Sequence, residues 1–460
     1  MPLQLPLTFQ QQWLLDFVQT HERWQCVAAN AFRLKGALDV SLLRLCLNEA
    51  VRKNDALRTR IVITGASVRQ EVLDAEEYPL ESAPVGGGCS ARVESNARRL
   101  VEDLCDERMD LSAGPLWRAT LLELSEREHW LVLAMHRLIG DCASIDQTYR
   151  AIQALYHECA QGKLIPTGCP PQYSDYTAWQ QKASSEWVHR HEPYWRQRLD
   201  GAMPLEWPSD RHRTATSPGV LGKVSCSFGA ALGTGLHDLA RKMRTLSANL
   251  MLSVYAIVLW RWCQKTDFVL PFNVAGRATE YKSAIGYFSC VLYLRMRMTG
   301  NETFRDFVKS VANEFFGSLT HPDFGRVARQ RPELLSGTLF QWLTWHPEDA
   351  MDTTLPAMPD PTKLALERVT VRDFGEGLTV VPPGVTSVEI TVFDTPTELR
   401  AFGSYRADQF TAHTMERFMA DLCSVTALVV RNPDVRIAVI GEAGGDVDEA
   451  AERGTGGARY

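Results

Sequence analysis

The chain has 460 residues, with 49 Lys and Arg against 55 Asp and Glu and a formal net charge of −6. That balance argues against a nucleic-acid-binding surface, which needs a clustered basic patch. With 45% hydrophobic and 23% charged residues, whole-chain disorder is excluded, and several domains or two large lobes are expected. No run approaches the ~18 consecutive apolar residues of a transmembrane helix. The N-terminus MPLQLPLTFQQQWLLDF lacks the basic region and long apolar core of a signal peptide. The 11 cysteines include no C-x-x-C pair and suit a reducing cytoplasm better than a disulfide framework or a zinc site.

In chain order, Leu7 to Thr20 carries apolar residues at helical spacing. Ala28 to Leu38 alternates as a strand that ends in a Gly-containing turn. Ser41 is placed as the N-cap of a helix over LLRLCLNEAVRKN. Ala56 to Ile63 and Val68 to Leu73 read as a hairpin around Gly65, and Val93 to Cys105 as a helix. Pro115 to Leu124 and His129 to Met135 read as strands joined by the charged turn SEREH. A helix capped near Ser144 runs to Cys159. After a Pro- and Gly-rich loop, Gly162 to Gln172, the stretch Tyr173 to Leu199 is helical, and PSDRHRTATSPG (Pro208 to Gly219) is a polar linker near a lobe boundary.

The second half repeats the alternation. Val220 to Phe228 is a strand, followed by helices Leu232 to Arg244 and Asn249 to Gln264, then strands Phe268 to Val274 and Phe288 to Met298. Phe304 to Leu319 is helical. Strands follow at Thr338 to Trp345, Leu366 to Val371, Ser387 to Asp394 and Glu398 to Tyr405, then a helix at Phe410 to Val430. The last residues, GGDVDEAAERGTGGARY, read as a flexible tail. Mixed strands and helices in two comparable halves indicate an α/β protein, with an N-terminal lobe over 1–180, a C-terminal lobe over 181–445 and a tail over 446–460.

The sharpest local feature is MHRLIGDC, residues 135–142, between an apolar strand and a helix. Loops at strand ends often present functional groups. A His, an Arg and an Asp within six residues must pair with one another or reach a cavity.

Read together, several segments resemble the condensation domains of nonribosomal peptide synthetases, in the chloramphenicol-acetyltransferase-like superfamily. PLTFQQQWLL resembles the opening P-L-S-x-x-Q motif. NDALRTRI resembles R-H-E-x-L-R-T-x-F, with Lys53 and Asn54 in place of its first two residues. YSDYTAWQ and YWRQRLDG resemble Y-x-D-Y-x-x-W and Y-W-x-x-x-L-x-G. GRATEYKSAIGYFSCVLYLR resembles the G-R…I-G-x-F-V-N-T-L-x-L-R motif, and SYRADQF resembles Y-x-x-D-L-F. Their order extends over residues 5 to about 440. The resemblance implies two acetyltransferase-like lobes in a V-shaped pseudo-dimer with an interlobe tunnel. There a carrier-protein-bound acyl or aminoacyl thioester would meet an amine or alcohol acceptor.

On this resemblance MHRLIGDC falls on H-H-x-x-x-D-G. His136 matches the first His and Asp141 the Asp, while Arg137 stands for the second His and Cys142 for the Gly. Imidazole can take a proton near neutral pH, whereas a guanidinium stays protonated and offers donors only. Arg137 therefore cannot act as general base, but it can hold an oxyanion, a carboxylate or a phosphate. His136 is expected to orient the loop. Asp141 is implied to be structural and to pair across the lobes with Arg277, and Arg58 is implied to be structural too. Cys142 would be strained if its φ were positive, and a nucleophilic Cys142 lacks an evident base. Ser387, opening SVEITVF, falls where the family has a tunnel-facing strand. Most of the tryptophans, such as Trp260 and Trp262, read as packing, and His189, His191 and His212 as surface. No metal site is expected, and no bound cofactor beyond the phosphopantetheine arm of a partner carrier protein.

Two functions follow from the resemblance. The first is a free-standing condensation enzyme, since the chain begins shortly before the first motif and ends soon after the last. The second is a module like the X domains of glycopeptide synthetases, whose degraded H-R-x-x-x-D-D motif accompanies recruitment of cytochrome P450 oxygenases. Either would work in the cytoplasm with carrier proteins, away from nucleic acid and membranes.

Overall fold

Apolar periodicity and capping side chains account for most of the element boundaries in the structure. The structure is a computed structural model that describes residues 2–20, 26–65, 67–87, 89–163, 168–211, 221–321, 326–344, 365–369, 386–395 and 398–441. In chain order its elements are β1 (Leu3–Leu5), α1 (Phe9–Thr20), β2 (Val27–Lys35), α2 (Val40–Lys53), β3 (Thr59–Thr64), β4 (Ser67–Val72), β5 (Glu81–Pro84), α3 (Ser90–Asp106), β6 (Trp117–Ser125), β7 (Glu128–His136), α4 (Cys142–Ala160) and α5 (Tyr173–Arg198). They continue with β8 (Leu221–Ser227), α6 (Gly229–Met243), α7 (Ser247–Cys263), β9 (Asp267–Val274), β10 (Cys290–Arg297), α8 (Phe304–Leu319), α9 (Arg326–Gln330), β11 (Thr338–Thr344), β12 (Ala365–Val369), β13 (Val388–Asp394), β14 (Leu399–Arg406), α10 (Ala412–Arg431) and α11 (Ile437–Gly441).

Two expected caps move. The N-cap of α2 is Asp39, whose carboxylate accepts from Leu42 N at 2.9 Å, and Ser41 lies inside the first turn. The N-cap of α4 is Asp141, with Ser144 three residues on. In both, a carboxylate reaches the amide at the third helical position, the geometry that favours Asp at a cap. The hairpin starts later than expected, because Asp55–Arg58 form a 3₁₀ turn before β3. The short strands β1 and β5 were not anticipated, being too brief to show alternation.

The chain divides into two compact units: Met1–Trp187 with Ala275–Ser289 and Pro347–Asp373, and Val188–Val274 with Cys290–His346 and Phe374–Tyr460. The expected division at 180/181 thus falls inside α5, and Ala275–Ser289, expected in the C-terminal lobe, belongs to the first unit. The linker proposed for Pro208 to Gly219 is described only as far as residue 211. The tail at 446–460, Val220, Trp345 and residues 370–371 lie outside the described residues.

Among the described residues the first unit holds two sheets, β1-β4-β3 and β12-β2-β7-β6-β5. In the larger, β6 and β7 pair antiparallel with Trp117 opposite Met135, and β2 pairs β7 with Val27 opposite His136. From α3, Ala97 and Val101 pack on Leu122, Trp130 and Val132 on one face of this sheet. From α4, Tyr149 stacks on Phe32 of β2 at 3.7 Å. Helix cover on both faces explains why β7 is apolar almost throughout instead of alternating. Its C-terminal end therefore delivers residues 136–141 into a buried environment.

The second unit is built on the six-stranded sheet β10-β9-β11-β13-β14-β8. Val388, Ile390 and Val392 of β13 join a core that includes α7, buried from Asn249 to Trp260. On the alternate positions Gln341 of β11 hydrogen-bonds Thr391 at 2.6 Å, and Glu389 is also buried. No single helix among the described residues is long and apolar enough to cross a membrane; α6 and α7 pass on length and composition only as a pair bent by 107°. Phe340, fully buried, stacks on Tyr255 at 4.9 Å and lies against Phe272 at 5.7 Å. Phe340→Ala is expected to cost about 3–5 kcal/mol of stability, read by urea denaturation; a loss under ~1 kcal/mol would contradict this packing.

Candidate active site

Helix α4 begins where β7 ends, and its first turn is held by a network reaching far along the chain. The carboxylate of Asp141 caps the helix: Oδ1 accepts from Ser144 N at 2.9 Å. Ser144 Oγ lies 2.8 Å from the same oxygen, and Asp141 N donates back to Ser144 Oγ at 3.2 Å, completing a capping box. Arg277 Nη2 donates to Asp141 Oδ1 at 2.7 Å and to Ser144 Oγ at 2.8 Å. Phe288 N donates to Asp141 Oδ2 at 3.2 Å. The side chains of Asp141 and Arg277 are 6% and 9% exposed, so the pair is buried, and the added hydrogen bonds offset its desolvation.

Arg277 is itself held on several sides. Its Nη1 donates to Tyr281 O at 3.3 Å and to Ala284 O, and its guanidinium carbon lies 4.3 Å from the centre of the Phe288 ring. Because Ala275–Ser289 belongs to the first unit, the Asp141–Arg277 pair lies within that unit instead of bridging the two lobes expected from the sequence. The backbone of Gly286 meets Ser144: Gly286 N donates to Ser144 Oγ at 3.0 Å, and Gly286 O lies 2.7 Å from it. A Cβ at Gly286 would fall 2.0 Å from Tyr173 Cδ2, which explains the glycine.

Other recognised segments converge here. Gln11 of α1 donates to Leu138 O at 2.7 Å. Tyr173 OH donates to Tyr287 O at 2.8 Å and lies 3.0 Å from Thr8 Oγ1. Asp55 caps α5, accepting from Tyr173 N and Ser174 N at 3.2 and 2.9 Å. Sequence reasoning missed Gln11, Asp55, Ser144 and Gly286 as parts of the site. Ser144 had a local signal in its three-residue spacing from Asp141, while Gln11, Asp55 and Gly286 fall on motif positions matched above without a role being assigned to them.

His136 closes β7 and is 2% exposed. Burial pushes its imidazole down to about 4, so the ring is neutral near pH 7. Its Nδ1 accepts from Leu138 N at 3.2 Å, which puts the proton on Nε2 and occupies the basic lone pair. Arg137 is 7% exposed; its amide donates to Cys26 O at 2.9 Å, and Nη2 lies 3.8 Å from Cys142 Sγ. Cys26, at φ 55, was not singled out from the sequence. Burial pushes its thiol up to about 12 against the opposing pull of the Arg137 charge. Cys142 starts α4 with φ in the ordinary range, so a side chain at the family's glycine position brings no backbone strain.

The remaining candidates make other contacts. Arg58 donates to Val51 O at 3.2 Å and to Leu73 O, tying α2 to the end of β4. Ser387 belongs to the second unit, where its amide donates to Ser336 O at 2.8 Å and its carbonyl accepts from Arg406 N. His191, expected at the surface, is 8% exposed with its ring edge-on to His321, while His189 is exposed and His212 lies outside the described residues.

Removing either partner of the Asp141–Arg277 pair leaves a buried charge uncompensated. Asp141→Ala and Arg277→Ala are each expected to cost about 3–5 kcal/mol in urea denaturation, with the double variant losing less than the sum; additive losses would break the coupling. His136 also makes stability depend on pH. Its folded pKa lies below the unfolded value, so the unfolded chain binds the extra proton. The contribution is full above about pH 6.5 and declines as pH falls to about 4, by roughly 3 kcal/mol. His136→Gln should flatten the unfolding free energy across that window relative to wild type, and an unchanged slope would contradict the buried neutral ring.

Comparison with known proteins shows one family. The family model for the condensation domain matches residues 3–327, which contain the whole α4 network. Chondramide synthase cmdD of Chondromyces crocatus is 28% identical over 421 residues, 88% of this chain and 10% of that protein. Phosphinothricin tripeptide synthetase PhsC of Streptomyces viridochromogenes is 31% identical over 390 residues, 79% of this chain and 36% of that protein. The chain therefore spans about a tenth to a third of these relatives. Among solved structures, the complex of the X-domain and OxyB from teicoplanin biosynthesis aligns with a TM-score of 0.77 at 22% identity, covering 97% of both chains. The fold is thus α/β of the chloramphenicol-acetyltransferase type, and the chain belongs to the condensation domain family of nonribosomal peptide synthetases.

Proposed function

We propose that this chain joins a carrier-protein-bound acyl or aminoacyl thioester to an amine or alcohol acceptor, acting in the cytoplasm of a nonribosomal peptide producer. The observation that supports this reading is the intact α4 network, in which Asp141, Ser144, Arg277 and Gly286 hold the loop bearing His136 and Arg137. The acceptor nitrogen bonds to the thioester carbon, the C–S bond breaks, and the thiolate of the phosphopantetheine arm leaves. The proton lost by the attacking nitrogen passes to that thiolate or to water.

Arg137 is suited to the oxygen that becomes negative during this step, because a guanidinium supplies donors and charge. Neither Arg137 nor His136 supplies a base: one stays protonated, and the other has its lone pair occupied by Leu138 N. Conversion then relies on positioning and on acceptor already in its free-base form. A second reading, recruitment of a cytochrome P450 oxygenase to a carrier-bound peptide, is favoured by the His136-Arg137…Asp141 pattern and by the burial of Arg137 against Cys142.

The test is a mass-spectrometric condensation assay with acyl-loaded carrier proteins and amine or alcohol acceptors. Wild type is expected to form product, Arg137→Ala to lose at least about tenfold in rate, and Arg137→His to gain by acid–base help of up to about 10²–10⁴. The wild-type rate should rise with pH up to the acceptor amine's own pKa, with no inflection from an enzyme base. Product from Arg137→His alone, together with capture of an oxygenase by wild type, would replace condensation by recruitment.

A further inference from the structure

In the second unit two thiols from distant parts of the chain meet. Cys226 of β8 and Cys423 of α10 lie 197 residues apart in sequence, with Sγ atoms 3.2 Å apart. Strand β8 is the edge of its sheet, held on one side by β14, with Cys226 opposite Ala401. Along β8, Lys223, Ser225 and Ser227 are exposed, while Val224 and Cys226 pack against the core on the α10 side. Both cysteines are free and half-buried, so a small polar oxidant can reach them. A disulfide needs about 2.05 Å between sulfurs, so closing the pair takes a shift of about 1 Å, within the reach of small side-chain rotations.

We propose that Cys226 and Cys423 form an oxidisable dithiol, which hydrogen peroxide or a related peroxide converts to an intramolecular disulfide tying β8 to α10. The Cys423 sulfur attacks one peroxide oxygen, the O–O bond breaks, and water leaves a sulfenic acid on Cys423. The Cys226 sulfur then attacks the Cys423 sulfur, the S–O bond breaks, and a second water leaves. Two thiols are oxidised by two electrons in total, and the peroxide is reduced. Once Cys423 has lost its proton, the adjoining Cys226 thiol can donate to the thiolate, which holds Cys423 below its ordinary value and makes it the attacking sulfur.

The first unit supplies an internal control. Cys46 of α2 adjoins Cys159 of α4, but Cys46 is fully buried and its thiol is pushed up to about 12 by burial and then by Cys159. Only Cys159 of this pair is partly exposed, whereas both Cys226 and Cys423 are, so peroxide oxidises this pair more slowly.

The experiment treats the full chain with hydrogen peroxide, alkylates the remaining thiols and maps peptides without reduction. The expected result is a cross-linked peptide pair containing Cys226 and Cys423, formed before any other, about 2 Da lighter than the sum of its parts and reopened by dithiothreitol. Oxidation should raise the Tm of the second unit by about 5 °C, because the bridge closes a long loop. Cys226→Ser should abolish the cross-link and leave a dimedone-trappable sulfenic acid on Cys423, and Cys423→Ser should abolish both. Prior oxidation of Cys46 with Cys159, or sulfinic acid on Cys423 without a cross-link in wild type, would overturn the proposal.

Discussion

A single buried ion pair, Asp141 with Arg277, organises the first unit around the start of α4. Two charges taken out of water are costly unless further hydrogen bonds offset the loss. Here the carboxylate accepts from Ser144 N, Arg277 and Phe288 N, with Ser144 Oγ alongside, while the guanidinium also reaches the carbonyls of Tyr281 and Ala284. The pair therefore acts less as a source of stability than as a constraint: the α4 cap, the Gly286 backbone and the Phe288 ring must all be in place for it to be tolerated. That requirement accounts for glycine at Gly286, where the Tyr173 ring leaves no room for a side chain.

The same constraint separates the scaffold of the loop from its chemistry. The groups that shape residues 136–141 are Asp141, Ser144, Arg277 and Gln11, and none of them is the residue that departs from the family's second His. Arg137 can thus replace an imidazole without disturbing the cap. Its side chain reaches toward a thiol at Cys142, and its charge is felt at Cys26, so the surroundings of this position are cationic. His136 supplies no free basic lone pair, because burial keeps it neutral and Leu138 N occupies its acceptor.

Much of this was legible in the sequence where the physics is local. Periodicity found α8 at its observed limits and placed β6, β7, β9, β13 and α10 to within a few residues, since burial on one face or both imposes the pattern. Family motifs pointed to Asp141 and Arg277 together. What stayed hidden was non-local or stereochemical. The caps at Asp39 and Asp141 were displaced by two or three residues, because cap choice depends on which carboxylate reaches an amide. Asp55 capping α5, more than 100 residues away, leaves no periodic trace, nor does the return of Ala275–Ser289 to the first unit. Nor could spacing show that Cys226 and Cys423 would meet, because that depends on how α10 crosses β8.

The makeup of the first unit also sets an order of events during synthesis. Its larger sheet and the α4 cap lie mostly within the first 160 residues, yet the Arg277 and Gly286 that complete the cap come more than 100 residues later. The strand β12 that pairs with β2 is later still. While these segments are still to be made, a nascent chain carries Asp141 without its counter-charge and β2 with one edge open. N-terminal segments emerge first from the ribosome and wait for distant partners, and exposed strand edges are where chains pair wrongly. The interval between translating residues 160 and 369 is therefore when the open edge of β2 and the unpaired carboxylate of Asp141 are most exposed to wrong pairing.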